Sequence, residues 1–210
     1  MNKKFNSGLA IILPNKRVNL FIIFVILLGI ISGSIFLMIL NENDKTLVIN
    51  QISTFISNIN SNNINNFGAF KNAIYENLVF VILIWILGMS MIGIIINIFL
   101  VYMKGFILGF SVSSLFLVYK YKGLLASVIY VFPTSIINVI ITIIISVYSI
   151  LFTINLWKII FLKDHTNSMG KFLKKYLLVL FICLLLCLVS SLSEAYLIPS
   201  LLKLIIKLFI

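Results

Sequence analysis

Long apolar runs alternate with short polar stretches along this chain. Residues 1–17 carry Lys3, Lys4, Lys16 and Arg17, and an apolar run then fills 19–40. A helix of roughly 20 apolar residues crosses a bilayer, so 19–40 predicts a first span. Within it, Gly29-Ile-Ile-Ser-Gly33 has the small-xxx-small spacing that lets another helix approach closely. The 41–77 segment is polar by contrast, and its core, Ser57 to Asn66, is too crowded with asparagine for a continuous helix. On either side apolar residues recur at helical spacing: Val48, Ile52, Phe55, Ile56 and Ile59, then Phe67, Phe70 and Ile74. That pattern predicts two short amphipathic helices on the membrane surface, with a loose linker as the competing reading.

A second span is predicted at 78–101, with Trp85 and Tyr102 at its borders or in its packing and Lys104 at the water interface beyond it. The next apolar piece, Gly105 to Tyr119, would be only about 22 Å long as a helix. It spans only if Lys104 and Lys120 snorkel from its ends. The apolar stretch from Gly123 to Trp157 has the opposite problem, since one helix of that length would measure about 52 Å. Pro133 is the natural break, giving a partial helix at 123–132 and a full span at 134–157. A polar loop, 158–175, holds five lysines, one Asp and the single His, and the last span is 176–193. Beyond it Pro199 interrupts a tail in which Lys203 and Lys207 share a face.

The reading is an all-α, polytopic helical membrane protein of about five spans. It forms one integral membrane domain over 1–210, with a broken or re-entrant helix around 105–133. The basic residues orient it. With the N-terminus inside, the cytoplasmic tail 1–17, Lys104 and the cytoplasmic loop 158–175 take ten of them. The other side takes six: Lys45, Lys71, Lys120, Lys122, Lys203 and Lys207. The 41–77 segment and the C-terminus are then extracytoplasmic. The apolar run 19–40 ends without a small-residue cleavage pattern and is read as an uncleaved span.

Composition sharpens this picture. Hydrophobic residues make up 62% of the 210 and charged residues 10%, against about one quarter charged in a soluble domain. A net charge of +11 raises nucleic acid as a partner. The basic residues flank apolar runs and form no patch interleaved with aromatics, so anionic headgroups account for them.

The five carboxylates are Glu42, Asp44, Glu76, Asp164 and Glu194, and the one imidazole is His165. Scattered as they are, they give no acid–base pair, no metal cage and no cofactor site. Asp164-His165 reads as part of a solvated loop. Ser190, Ser191 and Ser193 lack a base and read as helix hydrogen-bonders, while Cys183 and Cys187 read as packing residues. Glu194 stands apart. It follows eighteen mostly apolar residues, and a carboxylate at such a boundary needs a partner or a role. Lys120, Lys122 and Lys203 are the partners the predicted topology offers. Gly105-Phe-Ile-Leu-Gly109 repeats the close-packing spacing, and Gly88 and Gly93 flank Met89-Ser90-Met91-Ile92.

Four runs carry a resemblance. They are Trp85-Ile-Leu-Gly-Met-Ser-Met-Ile-Gly93, Met103-Lys-Gly-Phe-Ile-Leu-Gly-Phe110, Lys122-Gly123 leading to Pro133, and Ser190-Ser-Leu-Ser-Glu-Ala-Tyr-Leu-Ile-Pro199. In order and spacing, over about residues 18–203, the chain resembles the stage II sporulation protein M family. After Pro133 it has Thr134-Ser135 where that family often shows Gln-Asn. The resemblance implies an integral membrane scaffold of the mother-cell membrane at the sporulation septum. Such a scaffold recruits membrane-anchored cell-wall hydrolases of the sporulation protein D and P type during septal wall thinning and engulfment of the forespore. Lys104, Gly88, Gly93, Gly105, Gly109, Pro133, Glu194, Tyr196 and Pro199 are then structural or partner-contact candidates. The expectation is a non-enzymatic protein in contact with lipid and those partners, with neither nucleic acid nor a small-molecule substrate. The alternative is a small-molecule or ion permease, suggested by the short and proline-broken segments near 105–133.

Overall fold

The computed structural model describes residues 15–60, 65–162, 169–197 and 199–201, and all regular structure among them is helical. Helix α1 is Lys16–Ile39, α2 is Glu42–Asn60, α3 is Asn66–Gly88, α4 is Gly93–Leu162 and α5 is Met169–Leu192, followed by a π-helical turn at Ser193–Leu197. Five segments are long and apolar enough to cross a membrane: Lys16–Ile39, Asn66–Gly88, Gly93–Tyr121, Ser135–Phe161 and Gly170–Leu201.

The span count matches the sequence reading, but two boundaries move. The apolar run 78–101 is not one span, because a tight turn at residues 89–92 divides it between α3 and α4. Met89 N donates to the Ile86 carbonyl and Ser90 N to that of Leu87, both at 3.0 Å, and Gly93 N donates to Ser90 O at 3.1 Å. A Cβ on Gly93 would strike the Leu87 carbonyl, so the chain can reverse this sharply only with glycine there. At its other end α3 begins at Asn66, because Asn65 accepts a 2.9 Å hydrogen bond from Gly68 N and caps the helix. The amphipathic piece around Phe67–Ile74 is thereby drawn into a span. Of the two amphipathic helices expected in 41–77, α2 alone remains separate.

The second shift concerns the break in 105–133. Residues 105–119 are the later part of the 29-residue span Gly93–Tyr121, not an isolated or re-entrant piece. The reversal falls at Lys120, whose φ of 50° and ψ of −129° interrupt α4. Gly123 then lies against the Leu115 backbone, which a Cβ would strike. Backbone helix continues through Pro133. A proline removes one helical donor but does not force a reversal inside a long apolar helix.

The second arm of α4 is the centre of the bundle. In the 18-residue apolar stretch of Ser135–Phe161, 61% of residues are buried, against 22–33% in those of the other four spans. One apolar cluster joins it to α3 and α5 through Val81, Ile84, Ile145, Tyr148, Tyr176 and Cys183. Another joins it to α1 and the first arm through Ile22, Ile26, Val101 and Val147. Between α1 and the first arm the backbones themselves touch. A Cβ on Gly29, Gly33, Gly105 or Gly109 would meet Tyr102, Phe106, Ile26 or Ile30 backbone atoms respectively. The two small-xxx-small motifs are each other's partners, running parallel, as such motifs do where helices cross closely. Tyr102 Oη donates to Ser32 Oγ at 2.7 Å and Ser34 Oγ to the Gly109 carbonyl at 3.3 Å beside this crossing.

Candidate functional site

The turn at 89–92 has a chemical consequence. Glu76 lies twelve residues before Gly88, and Lys104 eleven after Gly93. At 1.5 Å per residue both stand about 17 Å from the turn, so α3 and α4 bring them level. The π turn adds Glu194. Its wider winding inserts extra backbone at the end of α5, a distortion that recurs at functional sites.

Together the three charged side chains line a cavity of about 200 Å³. Glu76 and Glu194 stand exposed, while Asn77 and Thr142 are buried. Asn138, Ser111 and Ser135 also face in, and α1 contributes Ile26. Lys104 Nζ sits 4.6 Å from the centroid of the Phe80 ring, a cation–π contact.

The polar lining is held by α5. Ser190 Oγ donates to Asn138 Oδ1 at 2.7 Å, and Asn77 Nδ2 donates to Ser191 Oγ at 3.3 Å. Thr142 Oγ1 donates to the Asn138 carbonyl at 2.8 Å. The serines near the end of α5 therefore cross-link helices, and Cys183 and Cys187 are buried free thiols in the apolar core.

Among the predicted residues, Glu194 and Lys104 meet at this cavity. Lys120, which the sequence also offered Glu194, does not line it, and the Lys122 side chain lies outside the described residues. Lys120 is exposed at the break in α4, and Lys203 lies outside the described residues, as do Asp164 and His165. Lys104 does not mark an interface either, because the shifted turn sets it midway along a span.

Gly105 and Gly109 belong to the α1 crossing. Gly88 admits Tyr176 and Ser149 where a Cβ would stand, and its carbonyl accepts from Thr153 Oγ1 at 2.7 Å. Gly93 makes the turn. Tyr196 is exposed, Pro199 half-buried, and neither lines the cavity. Pro133 lies in the α4 backbone. Sequence reasoning missed Glu76, Asn77 and Asn138. The signal for Glu76 was the turn itself, since Gly88 and Gly93 bracketing Met89-Ser90-Met91-Ile92 put it level with Lys104 once read as a reversal.

Residues 20–199 match the family model described as Stage II sporulation protein M. The chain belongs to the stage II sporulation protein M family. No curated protein and no solved structure matches it. The family match reaches into all five apolar spans and includes every residue of the cavity. The protein is thus a multi-pass membrane protein of a sporulation family.

Proposed function

We propose that the protein is a non-enzymatic membrane scaffold. It recruits and anchors peptidoglycan-degrading partners of the sporulation protein D and P type at the septum, in the mother-cell membrane, for wall thinning and engulfment. Membership of the stage II sporulation protein M family carries this reading. Helix α2 supports it. It is amphipathic and polar between two apolar spans, with Leu47 and Phe55 exposed, and it suits contact with partners at the membrane surface. The test is capture from sporulating cells by the tagged full chain. Co-purification of a membrane-anchored wall hydrolase is the expected result. Recovery of the chain without any hydrolase, or wall cleavage by the purified chain alone, would overturn the proposal.

One observation favours a second reading, an ion or small-molecule permease. Charged groups from three elements meet at a cavity between apolar spans, where ionisable residues mark ligand and ion paths. Flux in liposomes that disappears in Glu194→Gln would establish it.

A further inference from the structure

We propose that the Glu76–Lys104–Glu194 cavity binds one small monovalent cation, an alkali ion or a primary ammonium. The inference rests on the cavity and does not depend on the scaffold reading.

Charge gives the first reason. Two carboxylates and one ammonium line the space, which leaves one formal negative charge unbalanced, with both carboxylates exposed and open to an entering ion. The only ion pair among the described residues is Lys45–Glu42 in α2, so Lys104 is locked to neither carboxylate. Its ammonium rests on the Phe80 ring instead. One added positive charge neutralises the site. A divalent ion overshoots, and a zwitterion leaves the imbalance as it was.

Size and lining give the second. A volume of about 200 Å³ corresponds to roughly six waters at about 30 Å³ each. This admits an alkali ion with part of its shell, or methylammonium, and falls below the roughly 300 Å³ at which sites for larger organic ligands begin. Neutral oxygens complete the wall, from Asn77, Asn138, Thr142, Ser111 and Ser135. A hydroxyl that donates, as Thr142 does to Asn138, keeps lone pairs to offer a cation. Carboxylate, carboxamide and hydroxyl oxygens are hard donors suited to alkali ions and ammonium groups.

The experiment is thermal unfolding of the purified full chain in lipid nanodiscs. It is titrated separately with sodium, potassium and methylammonium chlorides, with ionic strength held by N-methyl-D-glucamine chloride. A cation that binds the folded state raises the melting temperature saturably. At least one of the three should do so, and comparing them identifies the source of the charge. Glu194→Gln and Glu76→Gln, both isosteric, should each weaken the response by about tenfold or more, the loss of one charge-assisted contact. Glu42→Gln, outside the cavity, should leave it unchanged. A flat response to all three cations, or a saturable one unaltered by both cavity substitutions, would overturn the proposal. Hydrolase capture by the Glu194→Gln chain keeps the two readings separable: if it persists while the cation response is lost, the cavity and the scaffold role are independent.

Discussion

Lys104 and Gly105 are neighbours in sequence and serve opposite regions of the bundle. On the Gly105 side, α1 and the first arm of α4 approach so closely that backbone rests on backbone, with the hydroxyls of Ser32, Ser34 and Tyr102 alongside. On the Lys104 side, α3, both arms of α4 and the π turn stand apart around a charged space. Ile26 takes part in both, since its carbonyl faces Gly105 and it also borders the cavity. The contrast shows how a bundle poor in polar residues keeps a polar site open. Rigid contact at the glycine crossing fixes the helices that the cavity needs held apart.

The comparison breaks most severely at the crossing. Gly105→Val puts a branched side chain where the Ile26 carbonyl already lies, and backbone cannot yield as a flexible side chain can. A loss of more than about 3 kcal/mol is expected, seen as failure to purify a monodisperse chain. Gly170→Ala is the control, because nothing lies within 4 Å of a Cβ there. It should be neutral or slightly stabilising in the same assay.

A smaller effect is expected in the cavity. Lys104→Met leaves two carboxylates without their ammonium and should cost about 1–3 kcal/mol, measured by melting in nanodiscs. Adding Glu194→Gln should recover most of the loss. A double variant no more stable than the single one would mean that the charges are not coupled. Ser190→Ala, which removes the hydrogen bond to Asn138, should cost about 1 kcal/mol and weaken any cation response without abolishing it. The smallest effect is at the α4 break. Lys120 holds a positive φ of 50°, so Lys120→Gly should stabilise by about 1 kcal/mol, read as a rise in melting temperature.

Much of the fold is legible from hydrophobic runs because the bilayer sets their length. The five spans, the amphipathic character around Val48–Ile59 and the close-packing glycines all follow from local pattern. The errors came from the same source. Residues 78–101 are apolar apart from Ser90 and Asn97, so hydropathy cannot see a turn inside them. A lysine at 104 then passes for an interface, and its meeting with Glu194 goes unseen. Pro133 is conspicuous in sequence yet leaves the backbone helical, whereas the reversal falls at Lys120, where the charged Lys120-Tyr-Lys122 already ends one apolar run and Gly123 lies against Leu115.

Spacing alone established that Gly29–Gly33 and Gly105–Gly109 make close crossings, because small residues every four positions thin one face of any helix. That these motifs pack on each other was decided by tertiary structure, as was the meeting of Glu76, Lys104 and Glu194. Carboxylates and an ammonium scattered over more than a hundred residues acquire a relation only when a turn sets their level and a central helix holds their walls. The sequence by itself determined an apolar, charge-poor membrane bundle. The folded chain decided that its few charges share one cavity, because helix register across a turn depends on where the chain reverses and apolar composition leaves that point unmarked.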